Sequence, residues 1–295
     1  MRMRRSLVVV SALSLAAGIL ALGLGVSRSI ASAAAPRMPA EIALAGELTQ
    51  GGWARGTAPA GTTALVLAGK SVALAPDGGF FIAFDRDAGP DMRLTARLAS
   101  GETITRALAI APRAWRLEQI PLGPKPGTPP SEAYRIRREG ELKQINAARA
   151  IDSGSEGWRQ RWVWPARGRL SGLFGSQRIY NGVPGSYHSG TDVAGASGTP
   201  FVAPADGVVI LVAPSPFSLE GNLLMIDHGM GLNSAFLHCL QVLVRPGEAV
   251  RQGQVIGKIG MTGRATGPHL HWSVKWRDAR LDPILFTGPM PSPVR

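Results

Sequence analysis

The run His269-Leu270-His271-Trp272-Ser273-Val274-Lys275-Trp276 constrains this 295-residue chain more than any other stretch. Leu270, Trp272, Val274 and Trp276 alternate with His269, His271, Ser273 and Lys275. A period of two marks a β-strand with one apolar face. Both histidines therefore project to the other face, about 6–7 Å apart along the strand. That is too far for equal roles at one small ion in an undistorted strand. It suits one ligand and one neighbour acting on water beside it.

Two further pieces complete a cluster. His188-Ser189-Gly190-Thr191-Asp192 and Phe236-Leu237-His238-Cys239 bring the total to four of the chain's five histidines, with an aspartate. Imidazole and carboxylate are the groups that hold a catalytic zinc, three from the protein with water in the fourth position. His188 and Asp192 are four apart, a spacing that a helix would bring together. Gly190, Thr191 and Val193 are poor helix residues. Four extended residues span about 13 Å, so the chain must bend, and Gly190 is the obvious place. The fifth histidine, in Ile226-Asp227-His228-Gly229, reads as a structural group at a strand end. Cys239 reads as a buried, inert thiol, because a strand that aims His238 at a cleft aims its neighbour away.

An H-x-x-x-D element followed much later by H-x-H, with Thr262-Gly263-Arg264-Ala265-Thr266-Gly267-Pro268 leading into the second, resembles the lysostaphin/LytM-type zinc metalloendopeptidase family. The resemblance runs from about Trp164 to Pro283. It implies an enzyme that cuts peptidoglycan peptides, with Zn2+ held by His188, Asp192 and His271. It also implies that His269 and His238 act on the catalytic water, without dividing the roles of base and oxyanion stabiliser between them. The family carries a tyrosine two before the second of these and a leucine after it; Phe236 and Cys239 stand there instead. Tyr180, Asn181 and Tyr187 precede the first motif on an expected cleft-edge loop and are candidates for substrate contact. For a Gram-negative envelope the expected scissile bond is the D-alanyl–diaminopimelate cross-link. The alternative is a non-catalytic LytM-like regulator of other wall hydrolases, though such proteins usually lose zinc ligands, and none is lost here.

The rest of the C-terminal region reads as scaffold. Val208–Val212 and Leu223–Ile226 are apolar runs bounded by Gly and Pro, hence buried strands. The stretch from Arg245 to Gly257 also resembles lipoyl and biotinyl carrier domains. A carrier needs a lysine at an exposed hairpin tip, whereas Lys258 sits in apparent strand. The predicted fold is mostly β: an antiparallel-sheet, barrel-sandwich-like peptidase domain over 164–295, preceded by a small β-sandwich over 39–112 and a Pro-rich linker and helix over 113–160. The sandwich rests on short strand-like runs such as Phe80–Phe84 and Met92–Leu98, separated by turn signals. It holds no histidine, and a non-catalytic packing or positioning role is expected. Ser131 is a predicted N-cap for a helix near 135–150 with Leu142, Ile145 and Ala148 on one side. That helix reads as a surface helix docked on one domain, with a brace or latch over the cleft as the alternative.

Residues 1–33 read as a secretory signal: Met1-Arg2-Met3-Arg4-Arg5, an apolar run from Leu7 to Val26, then Ala31-Ser32-Ala33. The apolar run is also long enough for an uncleaved membrane anchor. Either reading sends the chain to the periplasm or cell envelope. One cysteine excludes an intramolecular disulfide. The formal charge of +12 includes Arg2, Arg4, Arg5 and Arg28 of the leader and leaves the remainder basic, as suits an anionic wall or membrane face. Nucleic acid is excluded as a partner: there is no recognition motif, and the export signal argues against it. The sequence does not set the oligomeric state.

Overall fold

The computed structural model describes residues 41–121 and 131–291; the leader and the proline cluster over 122–130 lie outside them. Met38–Arg295 forms one contact unit. Its elements begin with β1 (Ala43–Gly46), β2 (Trp53–Thr57), β3 (Thr62–Leu67), β4 (Lys70–Val72), β5 (Gly79–Ala83), β6 (Asp91–Leu98), β7 (Thr103–Ala109) and β8 (Leu117–Ile120). Then come α1 (Glu132–Arg149), β9 (Leu170–Gly172), β10 (Gln177–Tyr180), β11 (Val183–Pro184), β12 (Thr191–Ala194), β13 (Pro200–Val202) and β14 (Gly207–Val212). The chain ends with β15 (Leu224–Asp227), β16 (Leu232–Leu237), β17 (Gln241–Val242), β18 (Ala249–Val250), β19 (Val255–Lys258), β20 (His269–Trp276), β21 (Ala279–Leu281) and α2 (Ile284–Thr287).

The chain is mostly β, as expected, and its sheets are open rather than closed barrels. The first seven strands make two sheets, in the orders β1-β2-β5 and β4-β3-β6-β7. β5 is buried at every residue because Phe80, Phe81 and Ile82 are apolar in succession. The Pro76-Asp77-Gly78-Gly79 turn feeds it, with Gly78 at φ 77, where a side chain would be strained. β8 pairs in parallel with β10, which also pairs with β11.

The largest sheet runs β18-β14-β15-β16-β20-β12-β9, with β21 added beside β20. Its two faces bury different cores. The Leu270, Trp272, Val274 and Trp276 face joins a cluster that continues into Phe80, Phe81 and Phe84 of the first strands. Trp53 stacks on Phe286 at 5.2 Å between ring centroids, Phe81 meets Trp276 at 6.2 Å, and Trp162 lies 4.6 Å from Phe286 and 6.2 Å from Trp272. Trp158 and Trp162, just outside the span 164–295, are fully buried in this same core. Truncating a buried aromatic typically costs about 3–5 kcal/mol.

The other face carries the histidines. There α1 packs Ile145 and Ala148 onto Ile210, Met225 and Ala235. Ser131 caps α1, its hydroxyl accepting from Tyr134 N at 3.2 Å, as the sequence predicts. The buried stripe differs by one residue: Glu141 is enclosed and Leu142 is 41% exposed. The carboxylate displaces the leucine because it has partners there. Arg137 and Arg138 of its own helix, and the backbone N–H and hydroxyl of Ser218, all donate to it.

Candidate active site

Strand pairing assembles the first three groups. β12 runs antiparallel to β20 with Asp192 directly opposite His271, so their side chains emerge on one face. His188 lies before β12. Two backbone bonds hold it, His188 N to Ser176 O and Gly175 N to His188 O, both at 2.8 Å. The bend between His188 and Asp192 falls at Gly190, as expected. A Cβ there would stand 2.7 Å from His271 Nε2 and 2.6 Å from Trp272 O, so only glycine lets the loop lie against the ring.

The donor atoms converge. His271 Nδ1 is 2.8 Å from Asp192 Oδ1, His188 Nε2 is 3.2 Å from the same oxygen, and the two nitrogens are 3.1 Å apart. All lie within 4.8 Å of one another. Tetrahedral ligands bound at about 2.0–2.1 Å stand about 3.3 Å from each other, so the triangle has the dimensions of a zinc face. His188 Nδ1 lies 3.1 Å from the Leu173 carbonyl. A carbonyl only accepts, so Nδ1 carries the proton and Nε2 turns a lone pair inward. Gly172 completes the cradle: a Cβ on it would overlap Asp192 Oδ2 and lie 2.9 Å from His188 Cε1. The residues present therefore fit a small divalent ion. Burial opposes ionisation of Asp192, but His188 and His271 outweigh it and hold the carboxyl far below the usual range. Burial pushes His271 below the ordinary histidine value, toward the neutral form a ligand requires.

The other two histidines stand beside this triangle. His269 Nε2 is 3.7 Å from Asp192 Oδ1, and the His238 and His269 ring centroids are 5.0 Å apart. His269 Nδ1 donates to Gly267 O and His238 Nδ1 donates to Thr262 O, each at 2.8 Å. In the neutral form of each ring the proton therefore sits on Nδ1, and Nε2 carries the lone pair. Burial lowers the His238 pKa against the opposing pull of the Thr262 carbonyl.

His238 reaches the site by a route that strand alternation does not give. Leu237 is paired opposite His271 and shares its face. A continuing strand would turn the next side chain into the core. Instead β16 stops, and His238 adopts φ 63. This left-handed backbone, uncommon outside glycine, puts the ring beside His269. His238 N bonds Glu220 O at 2.8 Å, and Glu220 is gripped by Arg138 through two bonds of 2.6 and 2.8 Å. Leu219 O accepts from Arg264 N, tying the same loop to the segment that holds the His238 ring. The Arg138–Glu220 grip joins residues 82 apart and is invisible in sequence; Arg137, Arg138 and Glu141 at helical spacing are its only local sign.

The remaining sites are quickly placed. His228 is fully buried, its Nδ1 donating to Asp206 O at 2.8 Å and its Nε2 accepting from Ser234 Oγ at 2.9 Å. Burial brings its pKa down to about 4, so it is a neutral structural group. Cys239 is fully buried, its thiol pushed up to about 12 by burial. Tyr180 ends β10, Asn181 makes the following turn at φ 47, and Lys258 lies in β19. The Tyr187 ring lies edge-on to Phe174, with the Arg86 guanidinium 4.6 Å above it.

Known proteins resemble this chain over the region that holds these groups. The model of peptidase family M23 matches residues 186–283. The peptidoglycan DD-endopeptidase ShyA of Vibrio cholerae is 36% identical over 136 residues, 46% of this chain and 31% of that protein. The DD-carboxypeptidase/endopeptidase Mpg of Neisseria meningitidis is 38% identical over 104 residues, 35% of this chain and 24% of that protein. The matches thus span a third or less of these relatives' own length. A crystal structure of a Pseudomonas aeruginosa protein assigned to peptidase M23 superimposes with a TM-score of 0.62 at 29% identity, covering 81% of this chain and 95% of that one. The chain therefore carries a peptidase family M23 domain, homologous to peptidoglycan DD-endopeptidases.

Proposed function

We propose that this chain is an exported zinc metalloendopeptidase that hydrolyses peptide cross-links of peptidoglycan in the cell envelope. The observation that carries this reading is the convergence of His188 Nε2, Asp192 Oδ1 and His271 Nδ1, with two further histidines presenting free Nε2 atoms beside them. The DD-endopeptidase relatives support a D-alanyl cross-link as the scissile bond. A zinc ion held by the triad supplies Lewis acidity, lowering the pKa of water and polarising a carbonyl.

The protein groups do the rest. Leu173 fixes the His188 tautomer, and β12–β20 pairing fixes Asp192 against His271. The Gly267 and Thr262 carbonyls fix the tautomers of His269 and His238, so each Nε2 is set to take a proton from water or to pass one to the departing amine. The ring not engaged with water is placed to steady charge on the tetrahedral oxygen.

The test is digestion of purified sacculi by the protein with and without a chelator, followed by fragment masses. Cross-linked dimers should fall to monomers only when metal is present. Intact dimers with a folded, zinc-loaded protein would reject the enzymatic reading, and stimulation of a separate amidase by that protein would establish the regulator.

A further inference from the structure

A second polar cluster lies along the same face of the large sheet. His271, Ser273 and Lys275 share that face of β20 by alternation. Lys275 is paired opposite Arg280 of β21 on one side and Asn233 of β16 on the other. From above, α1 covers this face and ends at Arg149. Arg149 and Arg280 both act on Lys275 electrostatically, and Arg280 acts on Arg149. Three cationic side chains from three elements therefore gather where the end of α1 meets β20 and β21.

No direct ion pair closes on this cluster. Among the ion pairs of the described residues, none includes Arg149, Lys275 or Arg280. Asp85 and Asp278 face Lys275 and Glu220 faces Arg149 at longer range; Asp85 Oδ2 already accepts the Arg280 backbone N–H at 2.9 Å, and Glu220 is bonded to Arg138. The Arg280 guanidinium also lies over the Tyr187 ring, 5.5 Å from its centroid. Arg149 Nε and Asn233 Oδ1 are buried without a hydrogen-bond partner. Arg149 and Lys275 are only partly exposed. Arg280 is exposed. Like charges held partly out of water with no direct ion pair, as Arg149 and Lys275 are, are costly, and a guanidinium is well suited to a carboxylate.

We propose that Arg149, Lys275 and Arg280 form a subsite for a free carboxylate of the peptide substrate, reached from the metal triad along the His271–Ser273–Lys275 line. This rests on the endopeptidase reading above. Lys275 lies four residue steps along the strand from His271, about 13 Å. At about 3.3–3.6 Å per extended residue, the carboxylate belongs to a residue two to four positions from the scissile bond. Stem peptides with a free acid there are the favoured substrates, and amidated ones are discriminated against.

The experiment compares two synthetic cross-linked peptides that differ only in that carboxylate, one as the acid and one as the carboxamide. With the zinc-loaded whole chain, kcat/KM should favour the acid by about tenfold or more, through KM. Lys275→Met and Arg280→Gln should bring that ratio toward one, and Lys275→Arg should restore it. Equal kcat/KM for the two peptides with the wild-type chain overturns the subsite. If neither peptide is cut, the endopeptidase reading has failed, and the subsite is judged by binding of the same peptides, fluorescently labelled, measured by anisotropy. Tighter binding of the acid, lost in Lys275→Met with an unchanged melting temperature, sustains it; equal binding refutes it.

Discussion

Gly172→Ala is the smallest change that should disable the metal triad without touching a ligand. Gly172 sits in β9, opposite Asp192, with no positive φ to confound the substitution. The added Cβ would overlap Asp192 Oδ2 and lie 2.9 Å from both Asp192 Cγ and His188 Cε1. Neither neighbour is a loose chain end: Asp192 is paired to His271, and His188 is tied to Leu173. Overpacking a well-filled site costs about 1–3 kcal/mol. Relief by displacing Asp192 or His188 transfers that cost to the metal. At 1.4 kcal/mol per tenfold, zinc affinity should fall by about 5- to 150-fold. The assay is competition for zinc against a fluorescent chelator, with melting temperature measured on the metal-free protein. Gly140→Ala is the control: nothing lies within 4 Å of its Cβ, and it should stabilise α1 by up to about 1 kcal/mol with zinc affinity unchanged. Wild-type zinc affinity in Gly172→Ala would show that the triad yields easily, and would remove steric confinement as the reason for the glycine.

Arg138→Gln removes one partner of a pair whose side chains are 17% and 15% exposed; it should lower stability by about 3 kcal/mol and kcat by about tenfold, with zinc stoichiometry unchanged, measured by denaturant unfolding and sacculus digestion. His228 has a folded pKa of about 4 against an ordinary 6.5, so the unfolded chain binds the extra proton between those values. Its contribution of about 3 kcal/mol is present above pH 6.5 and is lost as pH falls through 4, and the pH dependence of unfolding should flatten in His228→Gln. A fragment beginning at residue 164 strips Trp158 and Trp162 from the core around Trp272 and Phe286; it should melt well below one beginning at 153, and equal melting curves would refute this.

The parts of the site legible in sequence were those governed by local rules. Alternation placed His269 and His271 on one face, and the strand appears where it was expected. Gly190 was recognisable as the bend because four residues had to fold back on themselves. His238 was found only through its motif, since alternation from Leu237 sends it the wrong way, and a left-handed residue at a strand end has no periodic signal. β1, β2 and β8 escaped notice because their exposed or mixed side chains make no apolar pattern; β8 is defined only by its pairing with β10, distant in the chain. The buried side of α1 was misread at one residue because a leucine outranks a glutamate until Arg138, Ser218 and Glu220 are brought together in space.

His238 at φ 63 places one histidine at odds with the stability of its own fold. Glycine or asparagine accepts that backbone with less strain, so His238→Gly and His238→Asn should unfold at a higher temperature than His238→Ala, although all three remove the same imidazole. Selection for thermal robustness alone would drift this position toward glycine. If the imidazole serves wall digestion, a library screened first for stability and then for digestion should recover these two requirements as opposing pressures on one codon.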